Sequence, residues 1–179
     1  MKIICLDAGH GGKDPGAFYG GVAEKDIALR VVKLIGEALE NRALVYYTRT
    51  GDTYPELSER CRCANSVKAD LFVSIHCNSA ANVQATGFEV WTSNGQTKSD
   101  PIATKIYNSV KDVFPGAKYR VDISDGDPDK EADYYVLRNT TMPAVLVELG
   151  FISNAADRAN LTNSVWQRRM AQAIVAAIV

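Results

Sequence analysis

Three short runs of branched apolar residues constrain this chain more than anything else in it: Ile3-Ile4-Cys5-Leu6, Leu71-Phe72-Val73-Ser74-Ile75 and Ala144-Val145-Leu146-Val147. Each is unbroken, four or five residues long and bounded by polar residues or glycine. Strands buried on both faces have this form, because neither face needs a polar side chain for water. Further strands are expected at Ala43 to Thr48, at Gly87 to Thr92, whose alternation reads as an edge strand, and at Tyr134 to Leu137. Between the runs, Glu24 to Glu40 places Ile27, Val31, Leu34, Ile35 and Leu39 on one helical face. Pro55 to Val67, with Pro55 at the first helical position, Pro101 to Val113 and Val165 to Ile178 have the same character. Strands alternating with helices predict an α/β fold, a single domain around a mostly parallel sheet flanked by helices. Asp122 to Asp133 is acidic, contains glycine and proline, and reads as a surface loop.

Size and charge narrow the function classes. The 179 residues fit one domain, so residues 1–179 are read as one unit. The net charge of −1 gives no global field toward nucleic acid or an anionic membrane, and neither is expected as a partner. No apolar run is long enough to span a bilayer. Met1-Lys2-Ile3 leads directly into a strand, so no signal peptide is expected. The sharp end of the closing Ala171–Val179 segment leads us to expect that more chain follows it. The four cysteines, Cys5, Cys61, Cys63 and Cys77, are read as free structural thiols.

The chemistry gathers at strand ends. The chain has two histidines. His10 follows the first apolar strand through Asp7-Ala8-Gly9, and His76 ends the second. Glu148 ends the third in the same way. If the strands are parallel neighbours, all three emerge on the rim at their carboxyl ends, where α/β sheets form their sites. One histidine alone is better explained as a satisfied polar residue, but two on one rim indicate a shared site. Two imidazoles and a carboxylate would meet the need of a catalytic zinc for three protein ligands and an open position. Glu24, heading the helix after the glycine-rich loop, is the natural third ligand, although a first-turn glutamate is also favoured by the helix dipole. Glu148 reads as a general acid/base; an ion pair with an arginine such as Arg138 is the alternative. Asp7 either orients His10 or simply finishes its strand. The Gly9–Asp14 loop fails both the P-loop and the dinucleotide patterns, since Asp14 stands where Ser/Thr or glycine is required. Its glycines are read as letting the backbone wrap behind His10.

Four segments in order resemble one family. These are Leu6-Asp7-Ala8-Gly9-His10-Gly11-Gly12-Lys13-Asp14-Pro15-Gly16 with Glu24 downstream, Thr48-Arg49-Thr50-Gly51-Asp52, Ala69 to Asn78, and Met142 to Asn154. Together they are similar to the zinc-dependent N-acetylmuramoyl-L-alanine amidases of the Amidase_3 type. The resemblance implies a six-stranded central sheet, Zn2+ as cofactor held by His10, Glu24 and His76, and Glu148 as the catalytic glutamate. It implies peptidoglycan as substrate, cut between N-acetylmuramic acid and L-alanine, and action at the cell wall. Without a leader or wall-binding repeat, the expected context is a phage-type endolysin made in the host cytoplasm, or the catalytic domain of a longer wall hydrolase. A monomer with an open groove is expected. Three other readings compete: a wall-binding module without activity, a glycosidase using Glu24 and Glu148, and a zinc peptidase acting within the stem peptide.

Overall fold

A computed structural model describes residues 1–179. The chain opens with β1 (Lys2–Ala8), a short hairpin of β2 (Phe18–Tyr19) and β3 (Val22–Ala23), then α1 (Glu24–Ala38) and β4 (Ala43–Tyr47). It continues through α2 (Leu57–Ser66), β5 (Leu71–Asn78), β6 (Glu89–Thr92), α3 (Asp100–Val113) and β7 (Lys130–Glu131). It ends with α4 (Tyr135–Arg138), β8 (Ala144–Phe151), α5 (Ala155–Leu161) and α6 (Ser164–Ile178). Six strands form one sheet in the order β4-β1-β5-β8-β6-β7. The three apolar runs are its centre, with β1 parallel to β5 and β5 parallel to β8.

Burial of both faces explains why these strands lack alternation. Ile4, Leu6, Leu71, Val73, Ile75, Val145 and Val147 point into the larger core, with the apolar stripes of α1, α3 and α6. Cys5, Phe72, Ala144 and Leu146 face the other way, into a smaller core with Cys61 and Ala64 of α2 and Val136 and Leu137 of α4. All four cysteines are free thiols.

Four local readings change. Gly87 to Thr92 is not an edge: β6 lies between β8, antiparallel, and the two-residue β7, parallel, which closes the sheet. The alternation misled because Glu89 and Thr92, the polar positions, are buried. Tyr134 to Leu137 is no strand but leads into the single helical turn α4, whose Val136 and Leu137 pack on the α2 side. Pro55 lies before α2, which starts after Glu56; a reciprocal bond of Glu56 with Glu59 caps it, Glu59 Oε2 accepting from the Glu56 amide at 2.8 Å. The acidic loop is only partly at the surface, since Asp129 is buried and Lys130–Glu131 forms β7.

Candidate metal centre and catalytic cleft

β1, β5 and β8 run parallel and side by side, so the residues at their carboxyl ends share one rim. The β5–β8 register sets His76 directly beside Glu148. Gly9 donates its amide to the Ile75 carbonyl at 3.0 Å, holding the loop after β1 against β5. That loop then turns at His10, which has a left-handed φ of 59°, a conformation uncommon outside glycine.

Two buried arginines hold this turn. Arg49 donates to the carbonyls of Ala8 (2.9 Å) and Gly9 (2.8 Å), and Arg60 to those of Ala8 (2.7 Å) and His10 (2.8 Å). Every carbonyl from residue 8 to 10 thus meets a guanidinium. Asp7 supplies the counter-charge. It accepts from Arg60 (2.8 Å), Thr48 (2.6 Å) and Ser74 (2.6 Å). Burial works to raise the Asp7 pKa, but Arg60 and the two hydroxyls outweigh it and hold the carboxyl below its usual range. Asp7 therefore reaches His10 only through Arg60. Of the two aspartates, Asp14 is the one that contacts the imidazole, its Oδ2 2.7 Å from Nδ1. An N–H at Nδ1 suits this contact and leaves Nε2, which faces Glu24, as the nitrogen for a cation.

Glu24 reaches the same point from the start of α1. Its Oε1 lies 3.1 Å from His10 Nε2 and 2.9 Å from His76 Nδ1, and Oε2 accepts from the Ala17 amide at 2.8 Å. One donor atom from each of His10, Glu24 and His76 lies within 4.8 Å of the others. Ligands about 2.0–2.1 Å from a tetrahedral ion sit roughly 3.3 Å apart, and the two Glu24–histidine separations, 3.1 and 2.9 Å, are of that size. The glycines fit as well. A Cβ on Gly9 would lie 2.3 Å from His76 Cε1, and one on Gly16 2.5 Å from both Glu24 Oε2 and His10 Cδ2. Burial opposes a charged His10 ring, yet Glu24 and Asp14 raise its pKa to about 9, while both histidines draw Glu24 far below the usual carboxylate range. These donors can hold a metal ion.

Glu148 stands apart from that cluster. Its Oε2 is shut off from water and has no hydrogen-bond partner. Burial raises its pKa to about 7, with Glu24 and Glu89 adding to the rise and the two histidines opposing it. Arg138 does not pair with it but with Asp133, at 2.6 Å. His10, His76 and Glu148 line a cleft of about 390 Å³, walled by Tyr54, Leu57, Tyr134 and Tyr135. A carboxyl group poised near neutrality beside a cation site is equipped for proton transfer during hydrolysis.

Residues 4–179 match the family described as N-acetylmuramoyl-L-alanine amidase, Amidase_3. The chain belongs to this family. Among curated relatives it is similar to the endolysin of Bacillus phage SPP1, 43% identical over 170 residues, which cover 89% of this chain and 58% of the endolysin. It spans little over half of that relative's length. Among solved structures it is similar to the catalytic domain of CwlV, an N-acetylmuramoyl-L-alanine amidase from Bacillus (Paenibacillus) polymyxa var. colistinus. That likeness has a TM-score of 0.90 and 34% identity, covering 99% of this chain and 96% of the other. The amidase AmiC2 of Nostoc punctiforme superposes equally well, with a TM-score of 0.90, 34% identity and coverage of 99% and 94%.

Asp14, Arg49, Arg60 and Glu89 belong to the architecture of this site but were not singled out from the sequence for these roles. Glu89 carried a readable signal: a carboxylate inside Gly87-Phe88-Glu89-Val90-Trp91 is as costly to bury unpaired as Glu148. Arg60, on a helix with charged neighbours on both sides, carried none.

Proposed function

We propose that this chain is a zinc-dependent amidase, one catalytic unit over residues 1–179, that hydrolyses the bond between N-acetylmuramic acid and L-alanine in the peptidoglycan of bacterial walls. The observation that carries the reading is the unpartnered, buried Oε2 of Glu148, a residue that lines one cleft with His10 and His76, two of the three clustered donors. Family membership names the bond, and the likeness to an endolysin supports wall degradation as the setting.

His10, Glu24 and His76 would hold the ion. Two imidazoles and one carboxylate form a donor set that suits zinc and leaves a fourth position open. The chemistry supplied by such an ion is Lewis acidity, which polarises an amide carbonyl and brings the pKa of water from about 15.7 to about 7. Glu148 takes a proton from the attacking water as its oxygen bonds to the lactyl carbonyl carbon. It then returns that proton to the L-alanine nitrogen as the C–N bond breaks. Burial of Glu148 serves both halves, because a pKa near 7 lets one group accept and donate at neutral pH. Asp14 keeps the His10 ring in one tautomer throughout. Tyr54, Tyr134 and Tyr135 give the cleft apolar walls with polar tips, suited to a glycopeptide.

The test is mass spectrometry of purified peptidoglycan digested with and without a chelator. Free stem peptides beginning at L-alanine are expected only in the metal-replete digest. New reducing ends would indicate a glycosidase, and cleavage inside the stem a peptidase; either would end this reading.

A further inference from the structure

We propose that the acidic segment after Arg120 carries a second cation site, in which Asp127 and Asp129 hold a hard divalent ion of the calcium class. Asp129 is 3% exposed, and its Oδ2 accepts from Thr92 Oγ1 at 2.6 Å. Its Oδ1 and the Oδ1 of Asp127 are both closed off from water and meet no N–H or hydroxyl donor. Buried acceptors in folded chains are nearly always satisfied, so two orphans in one loop point to a missing partner.

The surrounding charges say what that partner is. Burial, followed by the Asp127 carboxyl within hydrogen-bonding reach, raises the Asp129 pKa to about 7 despite the Thr92 hydroxyl, and Asp100 adds to the rise. Asp100 is itself buried, with both oxygens committed to Thr97, at 2.6 Å from its amide and 2.9 Å from its hydroxyl. No lysine, arginine or histidine forms an ion pair with any of the three. Lys130, the next residue, turns away to Glu89 at 3.4 Å and lies over the Trp91 ring at 4.3 Å. A shared proton would neutralise one of three clustered carboxylates. A divalent cation neutralises two and takes both free oxygens as ligands. Carboxylate-only donors select hard ions such as calcium or magnesium over zinc. An ion here would fasten the loop to β6 at Thr92, next to the residue that carries Lys130 to Glu89.

Calorimetric titration of the chelator-treated full chain with calcium, with magnesium as a parallel arm, tests the site. Glu24→Gln serves as a control for the first centre. One equivalent of calcium is expected to bind at about 10⁻⁴–10⁻³ M and to raise the melting temperature, and to do so equally in Glu24→Gln. Asp129→Asn and the less buried Asp127→Asn should each weaken binding by about tenfold or more. Tighter binding of magnesium with the same loss in both variants would assign that ion to the same site. Silence toward both ions, or a response that survives both asparagine variants, overturns the proposal. Asparagine variants that are more stable than the unresponsive parent would instead identify a shared proton, and would overturn it equally.

Discussion

Glu89 and Glu148 sit opposite each other across the β6–β8 ladder, yet their environments differ completely. Glu89 Oε1 accepts from Arg120 at 2.6 Å and Lys130 at 3.4 Å, and Oε2 from Trp91 at 3.0 Å and Asn78 at 3.1 Å. Glu148 Oε2 has no partner at all. The first carboxylate is held by four donors, whereas burial, with Glu24 and Glu89 nearby, lifts the pKa of the second to about 7. Placement in the sheet is shared; the partners separate the roles.

Glu148→Gln should therefore lower kcat by roughly 10²–10⁴-fold, the usual contribution of a general acid/base. Bound metal should stay close to one equivalent, because Glu148 lies outside the donor set. Turnover and elemental analysis on one preparation check both halves, and normal turnover would remove Glu148 from the chemistry.

His10→Ala and His76→Ala should each strip the metal, while Asp14→Ala should weaken its binding by about 10–100-fold through loss of the Nδ1 contact. Competition with a chromophoric chelator ranks the three. Full occupancy in both histidine variants would break the ligand assignment.

Asp7 gives a pH dependence of stability. Its pKa in the folded chain lies below the ordinary 3.8. The unfolded chain therefore takes up a proton first as the solution is acidified. The stabilisation from Asp7 is complete above about 3.8 and is lost as pH falls toward the lower folded value. Asp7→Asn should flatten the acid limb of a stability-versus-pH curve. Removing one member of this buried pair should also cost about 3–5 kcal/mol at neutral pH, read from denaturant unfolding. An unchanged acid limb would refute the linkage.

Gly16→Ala should damage the cation site more than the fold. The residue has φ +64°, and its new Cβ would press on Glu24 Oε2 and the His10 ring at 2.5 Å. Loss of metal with an unaltered circular dichroism spectrum is the expected pair of results; unchanged metal affinity would show that the cradle is loose.

How much of this was legible beforehand follows from the kind of signal each residue gives. The central strands announce themselves because burial on both faces leaves no room for polar residues. Their carboxyl ends bring His10, His76 and Glu148 to one rim, and the first turn of α1 adds Glu24. Contacts between distant segments leave no periodicity. Arg60 reads as one more charge on a charged helix, and nothing short of its 2.8 Å bond to the His10 carbonyl reveals its place. Asp14 and Asp7 are similar as letters near a histidine; only the left-handed turn at His10 decides which one meets the ring. Glu89 could be read as a solvent-facing position of an alternating strand or as a paired buried carboxylate, and its bonds to Arg120, Lys130, Trp91 and Asn78 decide for the second. Val136 and Leu137 have strand-like composition, but packing against α2 turns them into a helical turn.

The guanidiniums of Arg49 and Arg60 reach the loop from segments far along the chain and grip the carbonyls on which its shape depends. The His10 loop thus owes its shape to bonds made within the chain itself. Capture of the ion then freezes little additional motion, and an emptied protein should keep its ligands aligned and reload without rearranging.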